Sequence, residues 1–175
     1  MNVFKKIKYR MCSFDERAKM LRKIGVKIGD NCEIFPNVNF GSEPYLVELG
    51  EHVRLTSGVK ITTHDGGLWV LRNNKELKNA DRFGRVRIGN NVHIGIDSII
   101  MPNVTIGDNV IIGCGAVVTK DIPSNSVAVG VPARVIESVE QYRKKVRKDV
   151  VFTKGMDSGE KRRYLEKSLN DKSIG

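Results

Sequence analysis

The chain has 175 residues, which is enough for one domain with its own hydrophobic core. Only 6% of the residues are aromatic, and the formal net charge is +10. No apolar run approaches membrane-spanning length, and the start at Met1 is too charged for a signal peptide, so we expect a soluble, cytoplasmic protein. The charge favours polyanionic partners and does not choose between phosphate ligands, acidic glycans, lipid-linked phosphates and nucleic acid.

The N-terminal segment 1–25 predicts helical structure. Apolar residues fall on one helical face of a basic stretch, namely Val3, Phe4, Ile7 and Met11. This stretch either packs on the chain itself or on a neighbouring subunit, or it lies on a membrane surface. Ser13 and Glu16 form a capping-box signature, which opens a helix that runs through Lys23 and that Gly25 can end.

A six-residue repeat dominates residues 26–134. Between Ile88 and Pro123 the first position of every hexad is β-branched and aliphatic: Ile88, Ile94, Ile100, Ile106, Ile112 and Val118. The fifth position is apolar or small: Val92, Ser98, Val104, Val110, Ala116 and Ile122. A helix would carry these residues to different faces, whereas short strands joined by turns point them inward, with Gly and Asn taking positive φ at the corners. The repeat predicts a parallel β-helix, a mainly β fold in which every third strand stacks on the first.

The repeat has two interruptions. Earlier hexads start at Ile28, Ile34, Leu49, Leu55 and Ile61, and the 15 residues from Ile34 to Leu49 shift the register by three. Between Gly66 and Val86 the repeat disappears, and loops of this length inside a compact fold are usually functional. We expect residues 67–85 to be extruded from the coil, with Trp69 and Arg72 near the base of the loop.

The C-terminal segment 135–175 predicts a helix followed by a basic tail. Apolar residues recur at helical spacing from residue 135 onward: Val135, Val139, Tyr142, Val146 and Val150. Ser138 and Gln141 are a candidate N-terminal cap, and a second, weaker helix is expected around Glu160 to Leu169. The charge run from Arg143 to Lys148 is typical of a solvated helix face, and the alternatives are a membrane-surface or a nucleic-acid patch.

The run from Ile106 to Pro123, together with Gly130–Arg134, resembles the hexapeptide-repeat acyltransferases. The segment from Glu43 to Gly66 is similar to the sugar O-acetyltransferases of capsule and lipopolysaccharide synthesis, with maltose and galactoside acetyltransferases as more distant relatives. The resemblance implies a left-handed coil, acetyl-CoA as acyl donor, no metal, and a homotrimer with active sites between subunits. The expected function is therefore an acetyl-CoA-dependent O-acetyltransferase acting on a carbohydrate acceptor in surface polysaccharide biosynthesis.

Histidine is the natural general base for such a transfer, because its ordinary pKa lies near neutral pH. The chain has three: His52, His64 and His93. His64 stands just before the extruded loop, where the resemblance implies the catalytic base. Its partner could be Asp65, Glu43, Glu48 or a backbone carbonyl, and the sequence does not choose. His93 stands where relatives often carry tryptophan and is a pocket-lining candidate, whereas His52 is expected at a surface turn.

The resemblance also implies the binding positions. The acetyl-CoA positions lie on successive turns and at the C-terminal end of the coil: Gly95, Ile96, Cys114, Gly115, Thr119, Lys120 and Arg134. Lys120 and Arg134 are expected to bind the CoA phosphates. The acceptor positions are Asn39, Glu43, Trp69 and His93.

Other interpretations of the protein's function remain open. The acceptor could be an amino sugar, serine or an antibiotic. A zinc carbonic anhydrase on the same coil would need all three histidines as ligands, and a non-catalytic scaffold would need none of these sites. The cysteines Cys12, Cys32 and Cys114 lack ligand spacing and read as reduced thiols, with Cys32 buried in the core. The basic termini allow weak contact with a membrane surface, and nucleic acid is not expected as a partner.

Overall fold

The computed structural model describes residues 9–172, with side chains described through residue 168. The chain divides into two compact units, residues 1–142 and residues 143–175, which we call the first and the second unit. Apart from Met11, which is exposed, the apolar N-terminal stretch lies outside the described residues. The division into segments 1–25, 26–134 and 135–175 stays a prediction.

Short parallel strands build the first unit. In chain order they are β1 Lys27–Ile28, β2 Glu33–Ile34, β3 Val47–Leu49, β4 Val53–Leu55, β5 Lys60–Ile61, β6 Val86–Ile88, β7 Val92–Ile94, β8 Ile99–Ile100, β9 Thr105–Ile106, β10 Val110–Ile112, β11 Val117–Val118, β12 Ser126–Val129 and β13 Arg134–Ser138. They form three sheets with the orders β1-β3-β6-β9, β2-β4-β7-β10-β12-β13 and β5-β8-β11, which we call the first, second and third sheet. From β3 to β8 each strand pairs in parallel with the third strand along the chain, as the hexad repeat predicts.

The core is the column of side chains that the repeat points inward. The six first-position residues are at most 3% exposed, and the six fifth-position residues at most 5%. Cys32 lies in the same column and is buried, as expected. Burial of β-branched side chains on a pleated surface supplies the main driving force for this fold.

The corners of the coil use glycine and asparagine for different reasons. Asn91 and Asn109 adopt positive φ, and Asn91 Nδ2 donates to Asn109 Oδ1 on the next turn at 2.8 Å. Gly89 and Gly107 do not adopt positive φ, contrary to expectation. A Cβ built on Gly89 would lie 2.8 Å from the carbonyl carbon of Gly107, and a Cβ on Gly50 would lie equally close to that of Gly89. These glycines are required because successive turns of backbone touch.

An N-terminal helix packs against the first turns of the coil. Helix α1, Phe14–Lys23, has the predicted capping box, and Gly25 follows its end at φ +100°. Arg17 is only 2% exposed, and its Nη1 donates to Ile34 O at 2.7 Å. The guanidinium therefore satisfies a carbonyl at the start of the second sheet that has no earlier turn to bond with.

The segment between β5 and β6 leaves the coil, as predicted. It contains the short helix α2, Leu68–Leu71, and a 3₁₀ turn at Lys75–Leu77. Arg72 closes the loop through an ion pair with Asp81 and a hydrogen bond to Ala80 O at 3.0 Å. The loop returns to the coil where Phe83 pairs with His64 in an isolated antiparallel bridge.

The C-terminal prediction was wrong in one part. Residues 135–138 belong to β13, which runs antiparallel to β12, and the helix α3 begins only at Val139, spanning Val139–Val146. The cap is the predicted one: Gln141 N donates to Ser138 Oγ at 3.1 Å, and Ser138 N donates to Gln141 Oε1 at 2.8 Å. Val135 is extended because β12 offers it a free edge, and tertiary pairing overrides the local helical spacing.

The second unit contains the helix α4, Ser158–Lys172, over the region where a second helix was expected. None of the helices in the described part of the chain has the length and apolar character needed to cross a bilayer.

We predict that Gly89→Ala lowers the free energy of unfolding by about 1–3 kcal/mol, because the added methyl forces two backbone turns apart. Chemical denaturation followed by circular dichroism at fixed protein concentration measures this change. Gly66→Ala is the matched control, since a Cβ there meets nothing within 4 Å. An equal loss in both variants would contradict the contact explanation.

Candidate functional site

His64 and Glu43 form a hydrogen-bonded pair at one corner of the coil. The distance from His64 Nδ1 to Glu43 Oε2 is 3.1 Å, and Ser42 Oγ lies 3.3 Å from the same nitrogen. The other carboxylates considered for this role have different partners. Asp65 pairs with Arg82 at 3.3 Å, and Glu48 pairs with Lys27 at 3.0 Å. The structure thus selects Glu43 from the candidates that the sequence left open.

The irregular segment between β2 and β3 brings Glu43 to His64. Gly41 turns the chain at φ +68°, and its N–H donates to Asn39 Oδ1 at 2.8 Å. Pro44 then starts a 3₁₀ turn, Pro44–Leu46, directly after Glu43. The three-residue register shift seen in the sequence is therefore the segment that carries the carboxylate.

Thr63 holds the Glu43 carboxylate in place. The Thr63 side chain is buried, and its Oγ1 donates to Glu43 Oε2 at 2.8 Å. This hydrogen bond is the largest cause of a pKa of Glu43 below its usual value. Burial, the second-largest cause, raises the pKa, and hydrogen bonds from Ser42 and His64 lower it further. Glu43 is therefore an anion at neutral pH that faces the Nδ1 side of the imidazole.

A cavity of about 470 Å³ opens beside His64. Its walls come from the corner after β5, the end of the extruded loop and the turns after β8 and β11. The lining residues are Thr62, His64, Asp65, Gly66, Arg82, Phe83, Met101, Pro102, Asn103 and Thr119. One acetyl-CoA candidate, Thr119, thus lies in the same cavity as the candidate base.

Phe83 and Arg82 are site residues that the sequence analysis missed. The Phe83 ring is 53% exposed, and its centroid lies 6.5 Å from that of His64 in an edge-on arrangement. The sequence signal that could have identified Phe83 is its position, since it is an aromatic residue three positions before the repeats resume at Val86. Trp69, which the sequence analysis favoured, is 76% exposed on α2 and is not one of the described residues that line the His64 cavity.

The other acetyl-CoA candidates lie on consecutive turns. Gly115 N donates to Ile96 O at 2.7 Å, so these two corners are stacked directly. A Cβ on Gly95 would lie 2.5 Å from Cys114 N, so close approach explains the glycine whether or not a ligand binds there. Cys114 itself is exposed.

The two candidate phosphate ligands lie at the C-terminal end of this region. Lys120 follows β11 and is exposed. Arg134 begins β13 and is also exposed, and its neighbour Ala133 bonds through its N–H to Val117 O at 2.8 Å. The backbone therefore ties the start of β13 to β11.

His93 lies in a different cavity from His64. It sits on β7 in the second sheet, next to Arg54, and lines a cavity of about 340 Å³. Burial, and secondarily the charge of Arg54, lowers the pKa of His93. His52 is at an exposed turn, as expected, with φ +53° and its Nδ1 2.8 Å from Asn91 Oδ1.

We predict that Thr63→Val raises the pKa of Glu43 toward the ordinary glutamate value, because the strongest hydrogen bond to the carboxylate is lost without a large change of shape. Carbon-13 NMR titration of the carboxyl group measures this shift, and Ser42→Ala is expected to give a smaller rise. A carboxyl group whose pKa is lower in the folded than in the unfolded state stabilises the fold at pH values above its unfolded-state pKa. This stabilisation is lost as the pH falls through the folded-state pKa. The Thr63→Val variant should therefore lose less stability than the parent protein on acidification. An unchanged pKa of Glu43 in this variant would refute the assignment of Thr63 as the main cause of the lowered pKa.

Comparison with known proteins identifies the family. The family model described as bacterial transferase hexapeptide (six repeats) matches residues 85–120. Protein CapG of Staphylococcus aureus is 47% identical over 165 residues, covering 93% of this chain and 92% of that protein.

Two solved structures share the architecture. A maltose O-acetyltransferase from Clostridium difficile 630 is 31% identical with a TM-score of 0.56, covering 76% of this chain and 81% of that one. A galactoside acetyltransferase in complex with coenzyme A is 28% identical with a TM-score of 0.56, covering 79% of each chain. The chain therefore belongs to the hexapeptide-repeat transferase family, whose acetyltransferase members are built on the same left-handed parallel β-helix.

Proposed function

We propose that the protein is an acetyl-CoA-dependent O-acetyltransferase that modifies a sugar hydroxyl in the biosynthesis of a surface polysaccharide. The observation that carries the proposal is the Glu43–His64 pair, whose histidine lines the same cavity as Thr119. The acceptor class is supported by similarity to proteins named as maltose and galactoside acetyltransferases. A cytoplasmic location is part of the same proposal.

The position of Glu43 supports different roles for the two imidazole nitrogens of His64. Nδ1 faces the anionic Glu43, so it carries the proton and donates to the carboxylate. Nε2 is then the basic nitrogen left for the substrate. The Glu43 carboxylate also stabilises the imidazolium that forms when Nε2 takes up a proton.

The reaction proceeds by direct transfer. His64 Nε2 removes the proton from the acceptor hydroxyl as its oxygen attacks the thioester carbonyl of acetyl-CoA. The tetrahedral intermediate collapses, the carbon–sulfur bond breaks, and the imidazolium returns its proton to the departing CoA thiolate. The products are the acetyl ester and free CoA, and His64 is neutral again.

The donor is proposed to lie along the stacked corners at Gly95, Ile96, Cys114 and Gly115, with Thr119 nearest to the reacting carbonyl. Ile96, Cys114 and Gly115 are exposed at these corners and are proposed to contact the pantetheine arm, whereas Gly95 is buried beneath them. Lys120 and Arg134 are proposed to bind the phosphates, since ionised hydrogen bonds are the strongest that a surface can offer them.

The acceptor is proposed to lie against Phe83. An exposed ring beside a general base can pack on the apolar face of a sugar, while Asp65, Arg82 and Asn103 offer polar groups in the same cavity. A homotrimer with active sites between subunits remains part of the proposal, and the sequence candidates Asn39, Glu43, Trp69 and His93 retain their proposed acceptor roles within it.

Release of free thiol from acetyl-CoA, screened against sugars, amino sugars, serine and bacterial glycans, tests the proposal. His64→Ala is expected to lower the acceptor-dependent rate by about 10²–10⁴-fold. Glu43→Gln is expected to lower kcat by about tenfold or more with little change in KM, because the neutral amide misorients the base while its oxygen still accepts a hydrogen bond from the acceptor.

The acceptor that responds names the substrate class. Response to an antibiotic, an amino sugar or serine, with none to sugar hydroxyls, would replace the acceptor proposed above. No release with any acceptor and no binding of CoA by calorimetry would refute the enzyme and leave a scaffold, and zinc in the purified protein would favour a metal-dependent alternative.

We predict that Lys120→Ala weakens CoA binding by about tenfold or more, because a charge-assisted hydrogen bond to phosphate is lost. Isothermal titration calorimetry measures the affinity. Lys19→Ala on α1 removes the same charge elsewhere and should bind CoA normally. Equal weakening in both variants would indicate a general effect of net charge and would count against a specific contact.

A further inference from the structure

The second unit carries more than half of the net positive charge of the protein. Residues 143–175 contain eleven Lys and Arg residues against five Asp and Glu residues, a net charge of +6 out of +10 for the whole chain. More than half of the net charge therefore lies in less than a fifth of the residues. Charge at this density selects for an anionic partner.

The same unit also exposes a continuous apolar stretch. Residues 150–152, which we call the apolar link, lie within the segment 147–157 that connects α3 to α4. Val150 is 50% exposed, Val151 is 39% exposed and Phe152 is 88% exposed. Consecutive exposed apolar residues indicate an interaction site more often than single ones do.

Cations flank the apolar link on both sides. Arg147 and Lys148 precede it, separated from Val150 by the exposed Asp149, and Lys154 follows it after Thr153. All three cationic side chains are exposed. Apolar residues bordered by Lys and Arg fit the interface of an anionic bilayer, where rings and branched side chains enter the headgroup boundary and cations meet lipid phosphates.

Other occupants fit these features less well. A second copy of the unit carries the same +6 charge and would be repelled. A nucleic acid would use the cations, and its bases could stack on Phe152, but it would leave the two valines in water. A lipid surface uses both the charge and the apolar link.

We propose that the second unit binds the surface of anionic lipid bilayers through the apolar link and the cations beside it. Such binding is peripheral, and its strength is set by a few apolar side chains and several charges. It goes beyond the transferase reaction and does not depend on it. Its consequence for the reaction would be to bring the enzyme to the surface at which lipid-linked glycans are displayed.

Sedimentation of the full-length protein with vesicles tests the proposal. We expect binding to phosphatidylcholine vesicles that contain phosphatidylglycerol, much weaker binding to pure phosphatidylcholine, and weakening by added salt. Phe152→Ala should reduce the affinity by about tenfold, since it removes the aromatic side chain proposed to enter the bilayer interface. The double variant Lys148→Gln and Lys154→Gln should reduce it by about twenty-five-fold, at about fivefold for each charge.

Matched controls come from the first unit. The double variant Lys19→Gln and Lys23→Gln removes the same charge from α1, and Ile24→Ala removes an exposed apolar side chain beside it. Both controls should bind vesicles like the parent protein. Equal weakening in the controls, no preference for phosphatidylglycerol, or tighter binding of an oligonucleotide through the same residues would overturn the proposal.

Thiol release measured on the same variants separates the two proposals. Phe152→Ala is expected to retain activity toward a soluble acceptor. Vesicle binding without any transferase activity would refute the proposed reaction alone, and activity without vesicle binding would refute the membrane contact alone.

Discussion

Direct contact between the backbones of successive turns is the constraint on which this structure depends. At one corner Gly29, Gly50, Gly89 and Gly107 form a column in which an added Cβ would lie within 3 Å of an atom on the next turn. That contact keeps the turns in hydrogen-bonding register, and the register keeps the inward column of aliphatic side chains continuous. Because each turn rests on its neighbours, the position of every corner is determined by the corners before and after it.

The candidate site is formed where two irregular segments interrupt the six-residue repeat. Glu43 belongs to the segment where the register shifts, and Phe83 ends the segment that leaves the coil. Both meet His64 at a corner whose own position the regular turns determine. A stiff scaffold thus holds the base, while two irregular segments supply the carboxylate that orients it and the ring beside it, and loops carried on a rigid frame are a common location for function.

The sequence predicted the regular part of the fold because the repeat is local. Inward positions such as Ile94 and Val110 follow from six-residue spacing alone, and the structure confirms them. The partner of His64 could not be chosen in this way, because Glu43 is 21 residues away across a register shift. Strand β13 was missed because Val135 also fits a helical face, and its pairing with β12 depends on a reversal near Gly130, at φ +94°, which spacing does not encode.

The antiparallel direction of β13 also affects whether further molecules can add to the end of the coil. A parallel β-helix ends in an open edge that could accept the first turn of another molecule, and repeated addition would produce a fibre. At the C-terminal end of the second sheet the last strand runs against the others, so a further parallel turn would meet the wrong hydrogen-bonding pattern. At the other end of that sheet, the Arg17 guanidinium donates a hydrogen bond to the carbonyl of Ile34, so this carbonyl already has a partner. One reversed strand and one buried guanidinium thus oppose end-to-end addition of further molecules to a fold that is built by repetition.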